Sequence, residues 1–276
     1  MAKRKRTQDA DKMLKEGRGT GRGLEYKPWL RIQDVPSIGR ATRLKGIKTG
    51  RQHEFLSDME RNYFYLLEYS ENVIDIREQY PLLPIEETLI ISEELKLDHP
   101  KHPKTKENIV MTTDFLITLD NNVELAKTIK PKDNLLDRRV MEKFEIERVY
   151  WERKGIDLGI VTEQEIDKTI AHNISYVQNY RDISNLDCFS NIEKHELKDL
   201  IYEFIKRVVD DERTMRSICT QFDSDMSLEK GSSLSIFRYL VINKIIEIDI
   251  TQKIDVNKRI YINNVREEFI SKVEAI

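Results

Sequence analysis

Ile109-Val-Met-Thr-Thr-Asp-Phe-Leu-Ile-Thr-Leu119, then Asp120-Asn-Asn122, then Val123-Glu-Leu-Ala-Lys-Thr-Ile-Lys130 and Pro131 read as strand, turn, return strand and stop. The first run is too short and too β-branched for a helix, the Asp-Asn-Asn triplet has hairpin-turn chemistry, and a proline cannot continue the second arm. Upstream, Val73–Tyr80 reads as a strand ended by Pro81 and Pro84, followed by a long loop through Pro100 and Pro103. Before it, Leu56, Met59, Tyr63, Leu66 and Leu67 recur at helical spacing across 54–69. Downstream, Asp137 caps a predicted helix over 138–154 that Gly155 ends, and Leu158–Thr162 reads as a further strand. Thr162-Glu-Gln-Glu165 fits a capping box for a helix from about 163. This order predicts an α/β unit around a mixed sheet.

The flanks differ from this centre. Residues 1–24 begin Met-Ala-Lys-Arg-Lys-Arg and close on Gly17-Arg-Gly-Thr-Gly-Arg-Gly23, which predicts a mobile basic arm. The stretch 25–52 is loop-rich, with Trp29, Leu30, Ile32 and Val35 as anchors, and order is expected from His53 onward. From about 195 the pattern becomes helical: Glu196–Val209, Arg213–Phe222, and a third helix capped by Ser227 and ending near Asn243. Lys244–Ile250 and Lys258–Ile262 then read as two β-rich runs, so three helices and a hairpin predict a winged helix. The expected domains are an arm 1–24, a catalytic domain 25–167 and a winged-helix-like domain 168–276.

Composition removes several classes. The 276 residues are 34% charged and 39% hydrophobic, and no run approaches the roughly 18 apolar residues of a membrane span. The basic start has no apolar stretch behind it, and Cys188 and Cys219 form neither a disulfide framework nor a zinc motif. A reducing, cytoplasmic setting is expected. Residues 1–60 hold 15 Lys/Arg against 8 Asp/Glu, although the whole chain carries −3. A basic front on an acidic body points to a polyanion met by one region.

Three acids stand where apolar residues belong. Glu60 falls within the stripe of Leu56, Tyr63 and Leu67; Glu147 falls within Val140, Phe144 and Trp151; Asp114 interrupts Val110–Leu119. Burying an ionised carboxylate costs several kcal/mol unless it is paired. Lys130 lies on the other arm of the hairpin from Asp114 and shares a face with Thr128. A carboxylate on one strand with a lysine beside it on the next suits metal-dependent phosphodiester hydrolysis. His99-Pro-Lys-His102 lacks a convergent ligand, Arg77 and Glu78 read as a structural ion pair, and neither a Walker A motif nor a nucleophile triad is found.

Longer runs carry a resemblance. Glu16-Gly-Arg-Gly-Thr-Gly-Arg-Gly23 with Tyr26-Lys-Pro-Trp29, Leu56-Ser-Asp-Met-Glu60, Asp75–Pro84, Met111-Thr-Thr-Asp-Phe115, Ile129-Lys-Pro131 and Glu142–Trp151 resemble the TnsA transposon endonucleases in order and spacing over about 16–167. The resemblance implies a restriction-endonuclease-like domain followed by a winged-helix domain, in one half of a two-protein transposase. That half cuts the 5′ strand at transposon ends in double-stranded DNA, beside a TnsB-type transposase and a TnsC-type ATPase regulator. By position, Glu60, Asp114 and Lys130 match the family's catalytic set and Glu147 a further active-site glutamate. The implied cofactor is Mg²⁺, with Mn²⁺ as a substitute, on Asp114, Glu60, the Ile129 carbonyl, Thr128 and Glu147. One position departs: the family usually has Gln two residues before the lysine, where Thr128 stands here. A hydroxyl is the weaker metal ligand. The alternatives are a stand-alone restriction or repair nuclease and a catalytically inert winged-helix DNA-binding scaffold.

Overall fold

The computed structural model describes residues 10–35 and 40–269, which fall into two compact units, up to Ile166 and from Asp167. The first opens with helix α1 (Ala10–Lys15), strands β1 (Thr42–Lys45) and β2 (Gln52–Phe55), helix α2 (Asp58–Tyr69) and strand β3 (Val73–Pro81). Helix α3 (Ile85–Glu94), strands β4 (Thr112–Leu119) and β5 (Glu124–Ile129), helix α4 (Arg138–Arg153) and strand β6 (Asp157–Val161) complete it. β1 and β2 form a hairpin of their own. The main sheet runs β3-β4-β5-β6, antiparallel twice and then parallel, so it is mixed as expected.

Local chemistry sets the central elements. The β4–β5 turn uses Asn122 at a φ of 63°, and Leu119 N donates to Val123 O at 2.9 Å. Asp137 caps α4 by accepting from the amides of Arg139 and Val140, and Gly155 at φ 68° ends the following turn. One sheet face carries an aromatic cluster of Phe55, Phe64 and Phe115 with α2. The other packs Leu116 and Ala126 against Ile91 of α3 and Ile146, Tyr150 and Trp151 of α4. The result is a three-layer unit, and its sheet fits a restriction-endonuclease-like fold.

Several expectations need correction. The arm is folded from Ala10 onward, and residues 1–9 lie outside those described. Arg18 is buried, donating to the Trp29 carbonyl (3.0 Å), Asp34 (2.5 Å) and Glu16 (2.8 Å). Gly19 has a φ of 77°, and a Cβ there would stand 2.2 Å from Pro81 Cγ, so this glycine permits close approach rather than mobility. Trp29 joins Met13 and Val110 in a small core, so order starts well before His53. The loop after Pro84 contains α3, whose β-branched, weakly amphipathic sequence hides it. Thr162 and Glu165 do bond to each other, but they close a turn; the next helix starts at Lys168 under Asp167. Arg77 and Glu78 do not pair: Arg77 meets Asp75 and Glu124, whereas Glu78 meets Arg51 and His53.

The second unit contains α5 (Lys168–Val177), α6 (Lys194–Asp210), α7 (Met215–Asp225), α8 (Ser232–Ile242) and the two-residue strands β7 (Ile246–Glu247) and β8 (Asn264–Val265). Gly231, not Ser227, precedes α8, where Asp223 accepts from the amides of Gly231 and Ser233. The run Lys258–Ile262 forms no strand. The carbonyls of Val256 and Lys258 instead accept the first amides of α7, from Arg216 and Met215, and the pairing with β7 falls later, at Asn264–Val265. Among the described residues, no helix is long and apolar enough to cross a membrane.

Glu78 is fully buried beneath the sheet. Arg51 Nη1 reaches it at 2.7 Å and His53 Nδ1 at 2.8 Å, while the amide of Glu54 donates at 3.3 Å. Burial opposes its charge, but His53 and Arg51 overcome this and hold the carboxyl at about 2. A depressed carboxyl stabilises the fold above the ordinary value near 4.5, and that contribution is lost as pH falls towards about 2. Glu78→Gln leaves Arg51 buried without its counter-charge, so urea denaturation at neutral pH should show a loss of about 3–5 kcal/mol. A loss below about 1 kcal/mol contradicts this account.

Candidate active site

Strand β4 leaves β5 beyond the pair Phe115–Lys127, while β5 stays with β6 to Ile129–Val161 and Lys130 N donates to Val161 O at 3.0 Å. The sheet therefore forks. Asp114 stands in the fork and replaces the missing ladder with its side chain, Oδ2 accepting the Ile129 amide at 2.7 Å.

A second irregularity lies beside it. Side chains two apart on a strand face the same way. Here Glu78 meets Arg51 and His53, yet Tyr80 lies against Arg77 and Trp151. Phe115 packs on Phe55 and Tyr63, yet Thr113 bonds to Trp151 and Glu147. Alternation breaks at the same level in both strands, at Gln79 and the facing Asp114. Gln79 takes a φ of 48°, uncommon outside glycine. Backbone in such regions tends to gather at working sites.

Glu60 reaches this point from the first turn of α2. Ser57 caps the helix, accepting the Glu60 amide at 3.2 Å and donating to Glu60 Oε1 at 2.8 Å, while the Leu56 amide reaches Oε2 at 3.1 Å. Gln79 Nε2 lies between Glu60 Oε2 (3.5 Å) and Asp114 Oδ1 (3.3 Å). Burial, and then the charge of Asp114, push the Glu60 carboxyl up to about 7.

Lys130 faces the same acids. Its Nζ is 3.5 Å from Asp114 Oδ2 and donates to the Ile129 carbonyl at 3.0 Å. Asp114 foremost, then Glu60 and Glu147, raise its pKa against the effect of burial, so it is a fixed cation rather than a base. Its side chain is 37% exposed, against 11% for Asp114, which makes it the part of the cluster nearest solvent.

Glu147 sits deeper, projecting from α4. Its partners are hydroxyls: Thr113 at 2.6 Å and Thr128 at 2.5 Å both donate to Oε1, and Trp151 Nε1 donates to Thr113 at 2.7 Å. Thr128 therefore spends its proton on Glu147. Two residues away, Glu145 is half-buried and pairs with Arg148, so helix geometry separates the two glutamates. His99 bonds to Thr88 and Pro100, while His102 accepts amides of its own turn.

The donor set tests for a cation. Two carboxylates and the Ile129 carbonyl are hard oxygen ligands of the kind Mg²⁺ takes, and burial, then the Asp114 charge, disfavours the Glu60 anion in a way a cation would offset. Among the described residues, no three of the His, Cys, Asp and Glu side chains are placed to hold a metal. Glu60, Asp114 and the Ile129 carbonyl are the residues that could hold such an ion, with water completing the sphere. Gln79 carries no signal in the sequence beyond a polar residue late in a strand, and neither its positive φ nor its reach to two acids is legible there.

The four-stranded mixed sheet fits a restriction-endonuclease-like unit. Residues 70–163 match the family model described as TnsA-like endonuclease N terminal, and residues 165–250 match TnsA endonuclease C terminal. The chain is 36% identical over 247 residues to the Transposon Tn7 transposition protein TnsA of Escherichia coli, covering 89% of this chain and 87% of that protein. The chain belongs to the TnsA endonuclease family.

Burial raises the Glu147 carboxyl to about 7, and the two hydroxyls offset only part of the effect. A carboxyl raised by folding leaves stability intact below its ordinary value near 4.5 and removes it as pH rises through about 7. In chelator, Glu147→Gln should therefore melt several degrees above the parent at about pH 8.5, with the gap closing near pH 5. Glu145→Gln should track the parent at both, since surface changes usually stay within about 0.5 kcal/mol. A Glu147→Gln gap that does not depend on pH would show that this carboxyl does not titrate as described.

Proposed function

We propose that the chain is the Mg²⁺-dependent DNA endonuclease subunit of a heteromeric transposase, hydrolysing the 5′ strand at transposon ends. The observation that carries this is the convergence of Glu60, Asp114 and Lys130 at the fork between the two central strands in a chain of this family. Glu60, Asp114 and the Ile129 carbonyl would hold Mg²⁺, or Mn²⁺ in its place. When bound, the ion polarises the scissile phosphate and lowers the pKa of its water.

The chain's own groups do the rest. Asp114 divides its oxygens, Oδ2 holding the Ile129 amide while Oδ1 faces Gln79. Lys130 stays protonated and screens phosphate charge or orients water at the mouth of the site. Glu147 and Thr128 lie behind, tying α4 to the strand that carries Lys130. That arrangement favours a supporting role for Thr128 over direct ligation, so its departure from the family's usual residue weakens catalysis less than loss of a ligand would.

The basic front end would meet duplex phosphates without reading sequence. Residues 168–276, read as a winged-helix-like module, would serve assembly with a TnsC-type ATPase, while a TnsB-type transposase cuts and joins the other strand. The setting would be the bacterial cytoplasm.

Cleavage of labelled transposon-end DNA, with and without a TnsB-type partner, tests the reading. Asp114→Asn keeps an acceptor for the Ile129 amide, so it should fold as the parent does and lose 5′ cleavage by at least about a hundredfold, roughly 2.7 kcal/mol of barrier. Lys130→Ala should lose a similar amount. Parental cleavage by Lys130→Ala contradicts the assignment. Cleavage without the partner would favour a stand-alone nuclease, and none in either setting an inert scaffold.

A further inference from the structure

Gln79 is the buried polar residue of the site that the proposed chemistry leaves without a task. It is 2% exposed and uses both ends of its amide. Nε2 lies 3.3 Å from Asp114 Oδ1 and 3.5 Å from Glu60 Oε2, and Oε1 accepts the Thr112 hydroxyl at 3.2 Å. Its backbone carbonyl accepts the Trp29 amide at 3.1 Å, linking the residue to the folded N-terminal segment. An unbranched side chain here sits at a φ of 48°, where most residues pay a backbone cost.

We infer that Gln79 is a positioning residue: its amide clasps Glu60 to Asp114 and fixes the spacing of the two carboxylates for a divalent cation. The inference rests on the proposed nuclease reading and adds a component to it. One nitrogen in reach of both acids keeps those oxygens no farther apart than its two contacts allow. Without the donor, two buried carboxylates repel with nothing between them, each held only by its own separate partners: Glu60 by Ser57 and Leu56, Asp114 by Ile129 and Lys130. The left-handed backbone points the Gln79 side chain at both acids while Glu78 stays committed to Arg51 on the other side. A donor that is not itself charged does this without cancelling the negative charge that draws a cation, as a lysine or arginine would.

The test uses two variants in the assembled transposase, with calorimetric Mg²⁺ binding to the protein alone as the second readout. Gln79→Met keeps length and lack of branching but removes the amide. Gln79→Asn keeps an amide, suits a positive φ, and falls one methylene short of spanning both acids. If Gln79 positions the carboxylates, both variants lower kcat at least tenfold with KM for DNA within twofold, and both weaken Mg²⁺ binding at least fivefold. The melting temperature of Gln79→Asn stays close to the parent's, so that variant decides the matter should Gln79→Met fold poorly. Parental kcat and parental Mg²⁺ binding in Gln79→Asn overturn the inference, whatever its stability. Asp114→Asn, run in parallel, separates the two levels. Loss there with retention in Gln79→Asn removes the Gln79 role alone, whereas retention in both removes the site and the inference with it.

Discussion

One hydrogen bond organises this domain: the Ile129 amide donating to Asp114 Oδ2 where β4 and β5 part. A sheet that forks leaves backbone amides without ladder partners, and a buried unpaired amide costs about 1–3 kcal/mol. A carboxylate from the departing strand meets that need and in doing so becomes fixed at the mouth of the fork. Lys130, one residue beyond the amide, is thereby brought to the same carboxylate. The hydrogen bond that completes the sheet also assembles the site.

Charge is handled in opposite ways on neighbouring residues of β3. Glu78 is wholly enclosed by Arg51 and His53, and its carboxyl sits low, at about 2. Around Gln79, Glu60, Asp114 and Glu147 all act on Lys130, and burial above all raises the Glu60 and Glu147 carboxyls to about 7. The first arrangement is complete in itself and holds the layers together. The second leaves buried carboxyls that added positive charge would stabilise, and on the proposed reading a divalent ion would supply it. Gln79, at the boundary, turns the strand from one regime to the other.

What could be read from the sequence was what local chemistry determines. The Asp120–Asn122 turn, the Asp137 cap and the Gly155 stop each depend on a few adjacent residues, and each gives the expected element. The misplaced acids were also legible, because Glu60, Asp114 and Glu147 break periodic patterns and all three are buried. The rest depends on distant partners. Glycines read as mobile because nothing adjacent shows Pro81 pressing on Gly19. The return strand of the second unit was displaced because α7 claims the carbonyls of Val256 and Lys258. Gln79 was silent because a positive φ in a non-glycine residue is imposed by tertiary structure. Thr128 looked like a weak ligand, and its observed partner, Glu147, comes from an element nineteen residues away.

The proposed chemistry depends on where a cation sits, and crystals soaked in Mn²⁺ and measured for anomalous scattering would locate it directly. The predicted result is a peak between the Glu60 and Asp114 carboxylates and against the Ile129 carbonyl, with Thr128 and Glu147 still bonded to each other. A peak coordinated by Thr128 and Glu147, with nothing between Glu60 and Asp114, would contradict it.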